Sequence, residues 1–138
     1  MTKPARGERN NNPGNIDYNP RNPWQGQLPH DPKIESRFCR FQSPEYGVRA
    51  IYKLLQTYQT KYGLNSVAAI INKYAPPNEN PTGNYIKRAA ADIGVGINDP
   101  INTKDKKTGI ALATAIVGVE LGYLPYSPDV FERAWGLL

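Results

Sequence analysis

Apolar side chains recur every three or four positions through most of the chain after residue 42, a spacing typical of amphipathic helices. Helix-start and helix-end signals divide this pattern into five stretches. The clearest start is Ser43-Pro44-Glu45, which offers a capping serine, a first-turn proline and an acid, and Gly63 ends that stretch. The sequence therefore predicts five helices, over about residues 44–62, 66–74, 81–93, 108–121 and 128–135.

The first 42 residues show no sustained periodicity. Proline, glycine and asparagine are frequent there, which predicts an ordered loop region. Within it, the aromatic-rich stretch 34–41 predicts a small strand or hairpin arm. The predicted fold class is mainly α with a minor strand or hairpin, in a single domain 1–138 that consists of a loop-rich segment 1–42 and a helical body 43–138.

The composition agrees with a folded domain. At 138 residues and 39% hydrophobic content, the chain can bury a core of ordinary size. Lysine and arginine exceed aspartate and glutamate by 17 − 12 = 5, so the surface favours an anionic partner. The positive side chains are scattered, and nucleic acid is therefore not the expected partner. The single cysteine, Cys39, excludes an internal disulfide and is expected in the core.

Features of membrane and secreted proteins are not found in the sequence. No apolar run approaches the ~18 residues of a membrane-spanning helix, so membrane insertion is not expected. The N-terminal residues lack the apolar core of a secretory signal peptide. A target outside the cytoplasm would therefore require another route of delivery.

The run from Arg9 to Ile16 (RNNNPGNI) concentrates neutral amides on a backbone that is unsuited to a helix. Asparagine and glycine tolerate left-handed conformations, and Pro13 holds the residue before it extended. Neutral donors and acceptors suit an uncharged polar ligand, such as the N-acetyl group of a sugar, better than a metal or a phosphate. The alternative is an ordered loop whose amides cap one another. The local sequence leaves both interpretations open.

Glu120 is the one acid between Lys107 and Asp129, and it lies at the end of the most apolar predicted helix. Helical spacing places it beside Ile116 and Val117, at the edge of the buried face. Lost hydration would raise the pKa of its carboxyl group, and a general acid for glycosidic cleavage must hold a proton near neutral pH. The alternative is a helix-end glutamate that turns outward and pairs with a lysine or arginine.

Glu8 is a second candidate acid because it directly precedes the amide run. Its neighbours Arg6 and Arg9 would lower its pKa and favour a salt bridge, which makes it the poorer proton donor. The one histidine, His30, lies among prolines without an evident serine or cysteine partner. No spacing of histidine, cysteine and acidic residues predicts a metal site.

Several segments of the chain resemble small phage and prophage proteins of the lysozyme-like superfamily, whose members are often described as phage structural proteins. The resemblance covers nearly the whole chain and is carried, in order, by Arg6–Ile16, Trp24–Gly26, Arg37–Phe41 with Ser43–Ala50, Tyr74–Thr82 with Tyr85 and Ile86, and Glu120–Gly122 with Pro125–Ser127. It implies a lysozyme-like fold and action on peptidoglycan.

A more distant similarity, to flagellar-type cell-wall glucosaminidases, is carried by Asn12–Ile16, Phe38–Glu45 and Tyr74–Tyr85. In those enzymes the catalytic glutamate ends a helix that precedes the asparagine segment, whereas almost nothing precedes that segment in this sequence. The helix that ends at Glu120 would take this place if the domain is circularly permuted. Glu8 remains the alternative acid.

These resemblances imply a glycosidase or lytic transglycosylase that cleaves the glycan of N-acetylmuramic acid and N-acetylglucosamine. Glu120 would be the general acid, and Tyr85 would stabilise the positive charge that develops in the transition state. Sugar contacts are expected from Asn12, Asn15, Trp24, Gln25 and Tyr74. No cofactor and no metal are expected. The expected partners are peptidoglycan strands and, as a second class, other virion proteins.

Two alternatives to an enzyme stay open. The first is a noncatalytic virion component that retains the lysozyme-like shape and binds glycan or partner proteins. The second is a basic protein associated with nucleic acid. In the enzymatic interpretation, the protein is made in the host cytoplasm and reaches the cell wall in the virion or by holin-assisted release.

Overall fold

The computed structural model describes residues 3–138 and is mainly α-helical, which confirms the predicted fold class. The helices of this part of the chain are α1 Arg6–Arg9, α2 Pro44–Tyr62, α3 Val67–Tyr74, α4 Thr82–Ile93, α5 Lys106–Leu121 and α6 Pro128–Gly136. Within residues 3–138, no helix combines the length and the apolar character that are needed to cross a bilayer.

The helices α2 to α6 correspond to the five predicted ones, and local capping explains their ends. The Ser66 hydroxyl accepts a hydrogen bond from the backbone N–H of Ala69 at 3.2 Å, which satisfies a donor in the first turn of α3. Gly94 ends α4 in the left-handed conformation, with a φ of 78°, and its N–H returns to the carbonyl of Ala90.

The helix α5 begins two residues before the predicted residue 108. Asp105 provides the cap that the sequence analysis overlooked, because its Oδ2 accepts hydrogen bonds from the backbone N–H and the hydroxyl of Thr108. These bonds lower the pKa of the Asp105 carboxyl group. The helix therefore starts at Lys106.

The described residues divide into two compact units, with boundaries inside α2 and α5. The first unit comprises the described residues up to Ile51 together with Val117–Leu138. Its buried apolar side chains are Ile16, Cys39, Phe41, Val48, Ala50, Ile51, Val117, Leu121, Val130, Phe131 and Ala134. Cys39 is thus a core residue, as predicted, and burial raises the pKa of its thiol to about 11.

The second unit comprises Tyr52–Ile116, in which α3 packs against α4. Side-chain hydrogen bonds join the loop between α4 and α5 to the helix α2. The hydroxyl and the N–H of Thr103 each bind Oε1 of Gln59 at 2.7 Å, and Nε2 of Gln59 donates to the carbonyl of Ile101 at 2.7 Å. Because the side chain of Thr103 is buried, these bonds compensate for its lost hydration.

The predicted strand at residues 34–41 is reduced to two isolated bridges. Asp17 pairs with Phe38, and Gln27 pairs with Phe41, both in antiparallel orientation. The sequence analysis also predicts a loop at residues 6–9, where the structure has the single helical turn α1. A turn this short has too few positions to show a helical period.

Candidate functional site

Asn12 lies at the centre of the amide run and is fully buried, with 0% of its surface exposed. Its Nδ2 donates to the carbonyls of Ile16 and Cys39, at 3.0 and 2.9 Å, and its Oδ1 accepts from the N–H of Ile16 at 3.0 Å. One side chain therefore fixes two neighbouring segments of backbone. The buried side chain of Asn12 has no exposed surface with which to contact a glycan. This finding corrects the predicted sugar contact of Asn12.

Asn10 and Asn11 also serve the fold. Nδ2 of Asn11 donates to the carbonyl of Phe41 at 3.1 Å, and the backbone of Asn11 is left-handed, with a φ of 51°. Nδ2 of Asn10 donates to Oε1 of Glu35 at 3.0 Å. For these residues the structure agrees with the alternative interpretation, in which the amides cap and brace the loop.

Glu35 is a structural carboxylate that the sequence analysis missed. Arg6 binds both of its oxygens, at 2.7 and 2.6 Å, and the backbone N–H groups of Arg37 and Phe38 donate to Oε2. The Arg6 guanidinium, followed by the backbone and Asn10 donors, holds the pKa of the buried Glu35 carboxyl group far below its usual range, against the opposing effect of burial. No local pattern distinguishes this residue from an exposed loop glutamate.

The ion pair with Glu35 also corrects the prediction for Glu8. Arg6 pairs with Glu35 rather than with its neighbour Glu8, and Nη1 of Arg9 donates to the carbonyl of Pro4. The half-buried Glu8 instead accepts a short hydrogen bond, of 2.5 Å, from the hydroxyl of Tyr123. The same hydroxyl accepts from the N–H of Ala5 at 2.7 Å. Glu8 is therefore tied to the segment that follows α5.

Asn15 is the member of the amide run that reaches a candidate catalytic group. Its Nδ2 donates to Oε1 of Glu120 at 3.0 Å, although 105 positions separate the two residues. Its backbone is left-handed, with a φ of 49°, a conformation that asparagine tolerates better than most residues. Its buried Oδ1 has no hydrogen-bond partner among the described residues. Of the two polar groups of the amide, only the NH2 group is therefore hydrogen-bonded within residues 3–138.

Glu120 lies half-buried in the last turn of α5, beside the buried Leu121. The end of this helix packs closely on the first segment of the chain at Gly7. A Cβ atom at Gly7 would come within 2.7 Å of Cδ2 of Leu121 and within 2.8 Å of Oδ1 of Asn15. Because Gly7 has no side chain, the end of α5 and Asn15 can both pack against it, next to Glu8.

The hydroxyl of Tyr126 adds an unusual polar group to the first unit. It is buried and has no hydrogen-bond partner among the described residues. Burial, followed by the negative charge of Glu8, raises the pKa of this hydroxyl well above its ordinary value. Tyr126 therefore stays neutral and can act as a hydrogen-bond donor.

The predicted tyrosines belong to the second unit. Tyr85 is only 3% exposed and lies in α4, so it offers almost no surface to a ligand, and we assign it to the core rather than to the stabilisation of a sugar cation. Tyr74 is half-buried at the end of α3. Its contact with a substrate stays a prediction.

Trp24 lies half-buried and Gln25 lies exposed in a turn of the first unit, and a sugar contact stays a prediction for both. Trp24 lines a pocket of about 280 Å³. The other lining residues are three prolines together with Tyr18, Asn19, Gln27, Leu28 and His30. Tyr18 and His30 stack with ring centroids 3.8 Å apart, a contact of His30 that was not predicted.

The candidate site thus has two parts within the first unit. Glu120, Asn15, Glu8 and Tyr123 supply carboxylates with bound donors, and the pocket at Trp24 supplies rings and amides. Among residues 3–138, no three histidine, cysteine, aspartate or glutamate side chains are grouped closely enough to hold a metal ion. The groups present suit proton transfer and the binding of a polar ligand.

No family model matches the chain. Protein P5 of Pseudoalteromonas phage PM2 is 36% identical to it over 138 residues, which cover 99% of this chain and 84% of that protein. The alignment therefore spans the amide run, the helices and Glu120 alike. The predicted phage origin is supported by this relative, whose name states no activity.

Proposed function

This chain belongs to the family of Protein P5 of Pseudoalteromonas phage PM2, and on that premise we propose that it is a phage enzyme that cleaves the glycan strands of peptidoglycan. The observation that supports this proposal most strongly is the hydrogen bond from Asn15 to Glu120. It brings the amide run to the carboxylate that, of all the acids in the chain, has the most apolar sequence context.

The bond from Asn15 orients the acid. Because Nδ2 donates to Oε1 of Glu120, a proton on that carboxyl group resides on Oε2. A general acid needs its proton in a defined orientation toward the substrate. The last turn of α5 provides a rigid support, since Leu121 beside it is buried.

The proposed reaction begins with proton transfer from Glu120 to the glycosidic oxygen. The bond between that oxygen and the anomeric carbon breaks, and the leaving sugar departs as an alcohol. The anomeric carbon is then attacked by water, or by the 6-hydroxyl of the same sugar, and the Glu120 carboxylate accepts the released proton. Water gives hydrolysis, and the 6-hydroxyl gives the anhydro product of a lytic transglycosylase.

Glu8 is the alternative acid in this proposal. Its hydrogen bond from Tyr123 occupies one carboxylate oxygen with a donor, as Asn15 does for Glu120. Its hydrogen bond with Tyr123 lies exposed, whereas the bond between Asn15 and Glu120 is partly buried. We assign the acid to Glu120 for this reason.

A noncatalytic glycan-binding or virion-assembly role is the second candidate. It is favoured by the use of Asn10, Asn11 and Asn12 as internal braces, which leaves Asn15 as the member of the run that binds a candidate catalytic acid. Zymography on purified peptidoglycan separates the two candidates. Clearing by the wild-type protein supports the enzyme, and retention on peptidoglycan without clearing supports the binding protein.

A further inference from the structure

The pocket at Trp24 is lined mainly by aromatic, proline and amide side chains. None of its lining residues is an aspartate, glutamate, lysine or arginine. Its volume of about 280 Å³ lies just below the range for ligand pockets, roughly 300–1,000 Å³. A pocket of this size and charge suits one uncharged ring rather than an extended chain or an anion.

Two amide side chains in the pocket are held with their NH2 groups available. Oδ1 of Asn19 accepts from the N–H of Arg21 at 2.9 Å, and Oε1 of Gln27 accepts from the N–H of Trp24 at 3.0 Å. A backbone N–H can meet only the oxygen of an amide, so these bonds fix the orientation of both groups. Nδ2 of Asn19 and Nε2 of Gln27 have no hydrogen-bond partner within residues 3–138.

The turn that holds Gln27 is itself rigid. Its N–H donates to the carbonyl of Trp24 at 3.2 Å, and Gly26 adopts a φ of 78° where a side chain would collide with the ring of Tyr46. The indole of Trp24 and the donor of Gln27 are therefore held in a fixed relationship before any ligand binds. Such preorganisation reduces the entropic cost of binding.

We propose that this pocket binds a single N-acetylated hexosamine ring. The apolar face of a pyranose suits the indole of Trp24, and its hydroxyl and acetamido oxygens are acceptors for the amides of Asn19 and Gln27. The site lies outside the contacts of Glu120 and would hold one sugar of the strand. The choice of an N-acetylated sugar rests on the proposed function, whereas the neutral ring chemistry rests on the pocket.

A proline-rich peptide is the other ligand class that aromatic pockets take. The geometry favours it less, because such peptides dock across exposed aromatic faces. Here Tyr18 and His30 cover each other at an interplanar angle of 4°, and prolines of the chain itself already line the pocket. The peptide is therefore an outcome of the test rather than the proposal.

The test is isothermal titration calorimetry of the full chain with N,N′,N″-triacetylchitotriose, in a Glu120→Gln background that prevents turnover. Asn19→Asp and Gln27→Glu each keep the oxygen that accepts the backbone N–H and remove the NH2 donor. We expect each to weaken binding at least about tenfold, the effect of losing one good hydrogen bond. Asn22→Asp adds the same charge to an exposed neighbour that does not line the pocket and should bind as the parent does.

Tryptophan fluorescence locates the ligand independently. The chain has two tryptophans, Trp24 and Trp135. The saccharide should change the emission of the Trp135→Phe variant and should leave that of Trp24→Phe unchanged. Thermal melting of each variant confirms that the fold is retained.

The proposal is overturned if the trisaccharide does not bind, if Asn19→Asp and Gln27→Glu bind like the parent, or if a proline-rich peptide binds at Trp24 and the sugar does not. These results are distinct from failure of the proposed function. Cleavage of peptidoglycan by the wild type without sugar binding at Trp24 would overturn this site alone. Sugar binding at Trp24 without cleavage would support the binding site and would show that the proposed enzymatic function is wrong.

Discussion

Nδ2 of Asn15 donates a hydrogen bond to Oε1 of Glu120 at 3.0 Å, across 105 positions of sequence. The bond joins the asparagine run near the start of the chain to the last turn of α5. This contact is the long-range relationship on which the proposed role of Glu120 depends. That α5 takes the place of a catalytic-glutamate helix by circular permutation stays a prediction.

Asn15→Gly tests whether this bond positions the acid. Glycine tolerates the left-handed backbone at residue 15 and removes the amide together with its unpaired Oδ1, so the stability should change by less than about 1 kcal/mol. The loss of a positioning contact should lower glycan cleavage roughly 10²-fold. Turbidity assays on purified peptidoglycan measure the rate, and urea denaturation measures the stability.

The matched control is Asn11→Gly. Asn11 has the same backbone conformation, with a φ of 51°, but its amide binds the carbonyl of Phe41. This variant should lose stability and retain most of its activity per folded molecule. Equal activity in Asn15→Gly and the wild type would show that Asn15 does not position the acid.

Tyr123→Phe and Glu8→Gln distinguish the two candidate acids. The first removes the hydroxyl that binds Glu8, and the second removes the negative charge. Because we assign the acid to Glu120, both variants should retain cleavage within about tenfold of the wild type, well short of the 10²–10⁴-fold that a general acid contributes. A loss as large as that of Glu120→Gln in either variant would reassign the acid to Glu8.

The helices were predictable because their signals are local. The predicted helices 66–74 and 81–93 begin and end next to Ser66 and Gly94, which cap them in the structure. Departures arise where the signal is short or was not used. The turn α1 is too brief to show a period, and the cap Asp105, three residues before Thr108, was not included in the prediction.

The site was harder to predict because its contacts are long-range. Four asparagines look alike in the run, yet Asn12 is fully buried and Asn15 reaches Glu120. The partner of Arg6 is Glu35, 29 positions away, rather than Glu8, two positions away. Nearest neighbours in sequence are a poor guide to ion pairs in a loop-rich segment, since the fold decides which charges meet.

Glu35→Gln should lower stability in a pH-dependent way. The pKa of the Glu35 carboxyl group is depressed in the folded state, so the stabilisation is fully present above its ordinary value near 4.5 and is lost as the pH falls through the lower, folded value. At pH 7 the variant should lose about 2 kcal/mol, because buried donors lose a charged partner. The difference from the wild type should shrink below pH 4.

Urea denaturation at pH 7, 5 and 3 measures this effect. Glu132→Gln, at an exposed position on α6, is the matched comparison for the removal of one negative charge. A constant difference between Glu35→Gln and the wild type at all three values would contradict the depressed pKa.

Gly7→Ala should destabilise the first unit and reduce activity together. The added Cβ would lie 2.7 Å from Leu121 and 2.8 Å from Oδ1 of Asn15, so the end of α5 would have to shift. Overpacking of this kind costs about 1–3 kcal/mol. Gly83→Ala is the control, since its Cβ would meet nothing within 4 Å and alanine favours the helix α4. Wild-type stability and activity in Gly7→Ala would show that this approach is not tight.

Mass spectrometry of the products released from purified peptidoglycan tests whether Glu120 donates the proton that breaks the glycan. We expect the wild type and Glu132→Gln to release the same glycan fragments, and Glu120→Gln to release at least about 10²-fold less while remaining folded. Equal release by Glu120→Gln, or no glycan fragments from the wild type, would show that Glu120 is not this acid.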